Sequence, residues 1–314
     1  MDVNTIEITR KASRKSWFLL SLCYITFFLY ASCTTVPVPS PLTSVEPSVE
    51  TEQVSSQLTQ YVWIPVATGL SLAQSFIADP PLAVYCLRVD LENPHVSVEV
   101  ISTEGTPTLR RTSTIVRKYS LVAAVNATPF SPVQLFEGKQ AYIAGLSVTN
   151  GREISPPSKK YAAIVFESNN RARILSASQA ALWKPGPLDH GCGGFSLLLQ
   201  NSVITSAEFE NVFDSGKAPR TAAGTNESGR YLYLMVIDGK KRGYSVGATF
   251  YETAQWIASF GATDALMLDG GGSSTLALRN ENGKVKLINT PVQGAIPWIE
   301  RPVANHIGIR LTEP

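Results

Sequence analysis

Short β-rich segments follow one another from residue 83 to the C-terminus, and this density of strands constrains the fold more than any other feature. Segments 83–90 and 96–100 are rich in Val, Tyr, Leu and Cys, and Glu92-Asn93-Pro94 between them reads as the turn of a hairpin. Further strands are expected near 121–126, 141–149, 161–167, 196–204, 220–225, 230–237, 264–268, 275–279, 285–288 and 306–311. Asn282-Gly283 supplies a hairpin turn between two of them. One segment carries a full set of helix signals, 249–260. Thr249 and Glu252 have capping-box spacing, Phe250, Ala254, Ile257 and Ala258 share a face, and Gly261 sits just past the end. A less regular helical pattern covers 108–119. The expectation is an α+β fold of mostly antiparallel sheets with few helices, in which helix 249–260 admits one parallel βαβ unit across residues 230–268. There is no internal repeat.

The first 33 residues read as an export signal. Arg10, Lys11, Arg14 and Lys15 precede an almost unbroken apolar run, 17–31, which is short for a membrane span. The run ends in Ala31-Ser32-Cys33, the pattern of a bacterial lipoprotein signal, with Cys33 as lipid site and mature N-terminus. Residues 34–60 are rich in Pro, Ser, Thr and Val without helical period and read as an extended tether. The folded body is expected over 61–314. A protein with such a signal is exported and anchored by lipid to a bacterial membrane, facing the periplasm or the cell surface; a plain secretory signal cleaved nearby and an uncleaved anchor are the alternatives. Residues 33–314 hold 23 basic and 23 acidic side chains, so there is no electrostatic case for nucleic acid as a partner. Of the four cysteines only Cys86 and Cys192 fall in the body, where they form either one disulfide or two buried thiols.

Chemistry concentrates at expected strand ends. Leu266-Met267-Leu268 delivers Asp269 to the end of a strand, and Gly270-Gly271-Gly272-Ser273-Ser274-Thr275 follow at once. Three glycines let backbone N–H groups turn inward as an anion-binding nest, with a carboxylate and three hydroxyls beside it. Pro219-Arg220-Thr221-Ala222-Ala223-Gly224 opens another strand with a guanidinium and a hydroxyl side by side. Asp238-Gly239 ends the next and leads to Gly243-Tyr244-Ser245-Val246-Gly247. Ala124-Val125-Asn126 ends on an amide, and Glu300-Arg301-Pro302-Val303-Ala304-Asn305 precedes the last strand.

These segments, in this order, resemble the phosphodiester glycosidase family over roughly 115–312, most strongly from Pro219 to Thr275. The resemblance implies hydrolysis of the bond between a sugar's anomeric carbon and an esterified phosphate. Its substrate would be a sugar phosphate diester on an exported polysaccharide or glycolipid. A phosphate leaving group is weakly basic, so stabilising the anion matters more than donating a proton. On that reading Arg220 and Thr221, the N–H groups of Gly270, Gly271, Gly272 and Ser273, and the hydroxyls of Ser273 and Ser274 cradle the phosphate. Asp269, and after it Asp238, supplies the carboxylate at the anomeric carbon. Asn126 would hold sugar hydroxyls. Arg301 would be a second phosphate contact, or else a salt-bridge partner near the last strand. Two departures from the family pattern fall where this chain has Asn126-Ala127-Thr128-Pro129-Phe130 and Gly194-Phe195-Ser196-Leu197.

Two other classes fit the same residues. One is a catalytically silent carbohydrate-binding lipoprotein, suggested by the altered segment at Asn126. The other is a phosphodiesterase in which Asp238 and Asp269 hold Mg²⁺ or Ca²⁺, since a carboxylate site needs no histidine. No zinc-type spacing occurs, the three histidines being scattered at 95, 190 and 306. No organic cofactor is expected.

Overall fold

A computed structural model describes residues 61–103, 105–205, 216–294 and 296–312. The export signal, Cys33 and the tether lie outside the described residues, which all belong to one compact unit spanning Glu52–Pro314. Three sheets carry the fold. An eight-stranded sheet has the order Ile64–Ala67, Leu70–Ala78, Pro81–Asp90, Tyr231–Ile237, Arg220–Thr225, Asp264–Met267, Leu197–Gln200, Val203–Ile204. One five-stranded sheet runs Val285–Leu287, Leu276–Arg279, Ala123–Asn126, Asn305–Leu311, Val96–Ser102. The other runs Arg171–Leu175, Ala163–Glu167, His190–Gly193, Ser147–Thr149, Arg152–Ser155. The pairings in these sheets are antiparallel, as the pattern of short strands and turns implies.

The main core lies between the sheets. Leu87, Leu234 and Val236 from the eight-stranded sheet meet Val125, Leu276 and Ile307 from one five-stranded sheet and Ile164 and Phe166 from the other. The opposite face of the eight-stranded sheet presents Met235, Ile237 and Met267 to Trp256, Ile257 and Phe260 of helix Phe250–Ser259. Strand Tyr231–Ile237 is therefore covered on both faces, which is why it reads as a continuous apolar run rather than an alternating one. A second helix, Thr112–Lys118, packs Ile115 and Val116 against Ala124 and Ala277 on the outer face of its sheet. Helix, sheet, sheet, helix is the resulting order of layers.

Helix Phe250–Ser259 has the capping box at Thr249 and Glu252, and Gly261 takes φ +107° beyond its end. Gly283 turns the hairpin between Leu276–Arg279 and Val285–Leu287 with φ +75°. Two expectations are corrected. Segments 83–90 and 96–100 do not form a hairpin: Pro81–Asp90 pairs with Leu70–Ala78 and Tyr231–Ile237, whereas Val96–Ser102 pairs with Asn305–Leu311 in another sheet. The intervening turn, with Val96 N–H donating to the Asn93 carbonyl, carries the chain from one sheet to the other, so that Leu87 and Val98 enter the same core from different sheets. The second correction concerns residues 230–268. Tyr231–Ile237 and Asp264–Met267 run in the same direction, but Arg220–Thr225 lies between them and is antiparallel to both. The unit is split, and no parallel hydrogen-bonded ladder forms there. Cys86 and Cys192 are both buried and unbridged, one on the helix side of the large sheet and one between the sheets.

Candidate active site

The split arrangement brings three strand ends to one edge. Because Arg220 pairs with Ile237 and Ala222 with Met267, the start of one strand lies beside the ends of its two neighbours. Asp238 and Asp269 project from that edge. The facing sheet ends there too, with Asn126 opposite His306.

Asn126 clasps the two sheets together. Its Nδ2 donates to the Asp269 carbonyl at 2.6 Å, and its Oδ1 accepts from Thr221 Oγ1 at 2.9 Å and from Thr275 N–H at 3.1 Å. The side chain is fully buried, and these three bonds turn its carbonyl and one amide N–H toward the protein rather than outward. Thr221 is likewise buried, with its hydroxyl turned to Asn126 rather than outward. Asp269 is pinned from the other side as well, its N–H donating to the Ala127 carbonyl at 2.9 Å. The altered segment after Asn126 thus fixes the backbone of the carboxylate.

The triple-glycine run forms one tight turn, Gly271–Ser273. Gly271 N–H donates to the Pro219 carbonyl at 2.8 Å and Ser273 N–H to Gly270 at 3.2 Å, so part of the expected nest is already occupied. What the glycines permit is close approach. A Cβ on Gly272 would lie 2.5 Å from Gln293 Oε1 and 2.6 Å from Arg301 Nη2. The Arg301 guanidinium therefore packs on the turn, with Nε donating to Gln293 Oε1 at 2.7 Å and Nη1 to Ser273 Oγ at 3.3 Å. The Ser273 hydroxyl also lies near enough to the Asp269 carboxyl to favour its ionised form.

Electrostatics follow from this packing. Burial pushes the Asp269 carboxyl up to about 6, opposed by Ser273, by the Arg301 charge and by the Gly270 N–H. Burial lowers the Arg301 pKa from its ordinary value, and the Asp269 charge opposes that shift. The Ser274 and Thr275 hydroxyls are buried beside the turn and have no hydrogen-bond partner among the described residues.

Arg220 is close to the turn, its Cδ lying 3.9 Å from where a Cβ on Gly270 would stand. Its guanidinium is directed elsewhere. Nε donates to the Ala248 carbonyl at 2.8 Å and Nη2 to Gly216 at 2.7 Å, and the group stacks 4.6 Å over the Phe250 ring. Of the two arginines named from the sequence, Arg301 is the one held against Ser273 and the electrostatic neighbourhood of Asp269.

Asp238 is 2% exposed, and burial raises its pKa to about 6 against the hydrogen bonds it accepts. Those come from Asn289 Nδ2 at 2.9 Å and from Thr290 N–H at 2.9 Å to Oδ2, and the nearby Tyr244 also opposes the shift. Asn289 Nδ2 also donates to the Ser274 carbonyl at 3.0 Å, linking Asp238 to the end of the glycine turn. Ser245 Oγ donates to the Asp238 carbonyl at 2.6 Å, which accounts for the serine in Gly243-Tyr244-Ser245-Val246-Gly247. Asn289, Thr290 and Gln293 escaped the sequence reading. Their one visible signal is the polar pair Asn289-Thr290 set in an otherwise strand-like stretch. Among the described residues, no group of three or more His, Cys, Asp or Glu is arranged to hold a metal ion.

A family model described as phosphodiester glycosidase matches residues 119–310. No curated protein matches the sequence. Solved structures similar in fold include the following three. A hypothetical protein from Synechocystis has TM-score 0.61 at 17% identity, covering 82% of this chain and 64% of its own. The chain thus spans 64% of that protein's length. A protein from Burkholderia pseudomallei described as exported has TM-score 0.54 at 16% identity, covering 73% and 74%. The catalytic domain of zebrafish N-acetylglucosamine-1-phosphodiester alpha-N-acetylglucosaminidase, auto-inhibited by its pro-peptide, has TM-score 0.58 at 18% identity, covering 81% and 88%.

Proposed function

The chain belongs to the phosphodiester glycosidase family, and on that premise we propose that it hydrolyses a glycosyl phosphodiester. The substrate would be a sugar-1-phosphate ester on an exported polysaccharide or glycolipid. The observation that carries the reading is the Arg301 guanidinium, held on the glycine turn by Gln293 Oε1 and Ser273 Oγ while its charge favours the ionised form of the buried Asp269 carboxyl. A substrate laid there meets a cation and a carboxylate at adjoining atoms, as cleavage between phosphate and anomeric carbon requires. Arg301 and the Ser274 hydroxyl stabilise the departing phosphate. Asp269, ionised above about pH 6, acts at the anomeric carbon. Asp238 holds Asn289 and Thr290 in place, and Arg220 and Thr221 shape the edge on which the turn rests.

Export and lipid attachment at Cys33 belong to the same proposal. They are supported by the basic, apolar and Cys33-terminated order of the first 33 residues. The test is hydrolysis of a defined sugar-1-phosphodiester in ¹⁸O-water, with Asp269→Asn as control. Label on the sugar and a loss of about 10³-fold or more in the variant are expected. Label on phosphate would place the attack at phosphorus and overturn the mechanism, and binding without turnover would make the protein a silent module.

A further inference from the structure

The element that holds Arg301 also reaches the Asp238 side of the site. Strands Val292–Gln293 and Ile296–Pro297 pair antiparallel, and Trp298 follows the second. Gln293 accepts the Arg301 hydrogen bond. The Trp298 ring lies 5.5 Å from Lys241 Nζ, and the same ammonium is 4.3 Å from the ring of Tyr244. Tyr244 in turn lies near enough to Asp238 to favour its ionised form, and its hydroxyl is 2.6 Å from that of Tyr85. One short strand pair therefore touches both carboxylate neighbourhoods, Asp269 through Arg301 and Asp238 through Lys241 and Tyr244.

Stability does not account for Trp298. Its side chain is 60% exposed, so it gains little from burial. Its backbone has φ +66°, a region that bulky residues rarely adopt. A strained residue whose large ring faces solvent beside a polar site points to a ligand rather than to packing. The surroundings narrow the ligand class. An aromatic face next to an ammonium and a phenol hydroxyl suits a molecule with an apolar C–H face and a rim of hydroxyls, which describes a pyranose ring.

We infer that Trp298 is the platform on which the sugar ring of the substrate stacks, with Lys241 holding the indole in place. The inference rests on the glycosyl phosphodiester reading and adds the residue that recognises the sugar as distinct from the phosphate. The experiment is direct calorimetric titration of N-acetylglucosamine 1-phosphate, glucose 1-phosphate and inorganic phosphate into wild type, Trp298→Ala and Trp298→Phe. Trp298→Ala should weaken both sugar phosphates about tenfold, or about 1.4 kcal/mol, and leave inorganic phosphate unchanged. Trp298→Phe should restore most of the affinity, because the ring face is kept. Unchanged sugar-phosphate affinity in Trp298→Ala would overturn the inference. So would an equal loss for inorganic phosphate, which would mean that the change acts through Gln293 and Arg301. Binding is read without turnover, so the two readings fail separately. A protein that discriminates through Trp298 yet hydrolyses no diester would sink the hydrolysis alone. An active enzyme whose KM ignores Trp298→Ala would sink the platform alone.

Discussion

Asn126→Ala should be among the most damaging single changes in this protein, and its cost can be worked from three hydrogen bonds. The substitution leaves the Thr221 hydroxyl, the Thr275 N–H and the Asp269 carbonyl without their partner in a fully buried place. Orphaning a buried polar group costs about 1–3 kcal/mol. Three of them, with some recovery from a water entering the vacated space, give about 3–5 kcal/mol. That is a large share of a typical folding free energy of about 5–15 kcal/mol. Urea unfolding followed by tryptophan fluorescence should show the midpoint falling by about 1 M or more, for a slope of about 3 kcal/mol/M. Activity should fall further than stability explains, because the Asp269 backbone loses its clasp. Asn126→Asp sharpens the test. The introduced carboxyl keeps the acceptor, and only its protonated form can donate to the Asp269 carbonyl. Burial raises its pKa, so its stabilising form is fully present below the unfolded value of about 3.9 and lost as pH rises through the folded value. Asn126→Asp should therefore approach wild type near pH 4 and fall behind at pH 8. An Asn126→Ala protein within about 0.5 kcal/mol of wild type, the range of ordinary surface changes, would refute the clasp.

Other outcomes follow from the same geometry. The acidic limb of kcat/KM should rise through about pH 6 as Asp269 ionises, and Arg301→Gln should move that limb to higher pH, since removing the cation disfavours the carboxylate. Asp269→Asn should be more stable than wild type at pH 7, and the difference should vanish below about pH 4, because a raised carboxyl pKa withdraws stability as pH climbs from the unfolded value to the folded one. Gly272→Ala should displace Arg301 and Gln293 and cut kcat/KM by about 10²-fold, a cost seen when reacting groups shift by about 1 Å. Gly271→Ala has open space around its Cβ and φ +60°, so it should cost only about 1–2 kcal/mol of stability by denaturant titration and little activity. Burial raises the Cys86 and Cys192 pKa values, and both thiols should resist alkylation in the folded protein and react on unfolding, read by mass spectrometry of their peptides.

The strand Arg220–Thr225, the apolar run Tyr231–Ile237, the helix capped by Thr249 and the turn at Gly283 were all legible beforehand. Each is announced by residues within a few positions of one another, and local periodicity and capping act at that range. Asp269 and the glycine run were legible for the same reason, as a carboxylate beside three residues without Cβ. Partnership was not. Two arginines stood as candidates for one role, and nothing local tells Arg220, whose guanidinium turns to the Ala248 and Gly216 carbonyls, from Arg301, which leans on Gly272 and Ser273. Asn126 reads from its neighbours in sequence as a strand-end amide, and only the tertiary structure gives it Thr221, Thr275 and Asp269 as partners. Composition and order marked many of the elements and the chemistry on offer, but not strands Ile64–Ala67, Leu70–Ala78 and Arg171–Leu175 or helix Ala177–Leu182. Only the packing of one sheet on another decided which polar groups are satisfied within the protein and which remain for a substrate, because hydrogen bonds between residues more than ninety positions apart depend on where the strands end in space.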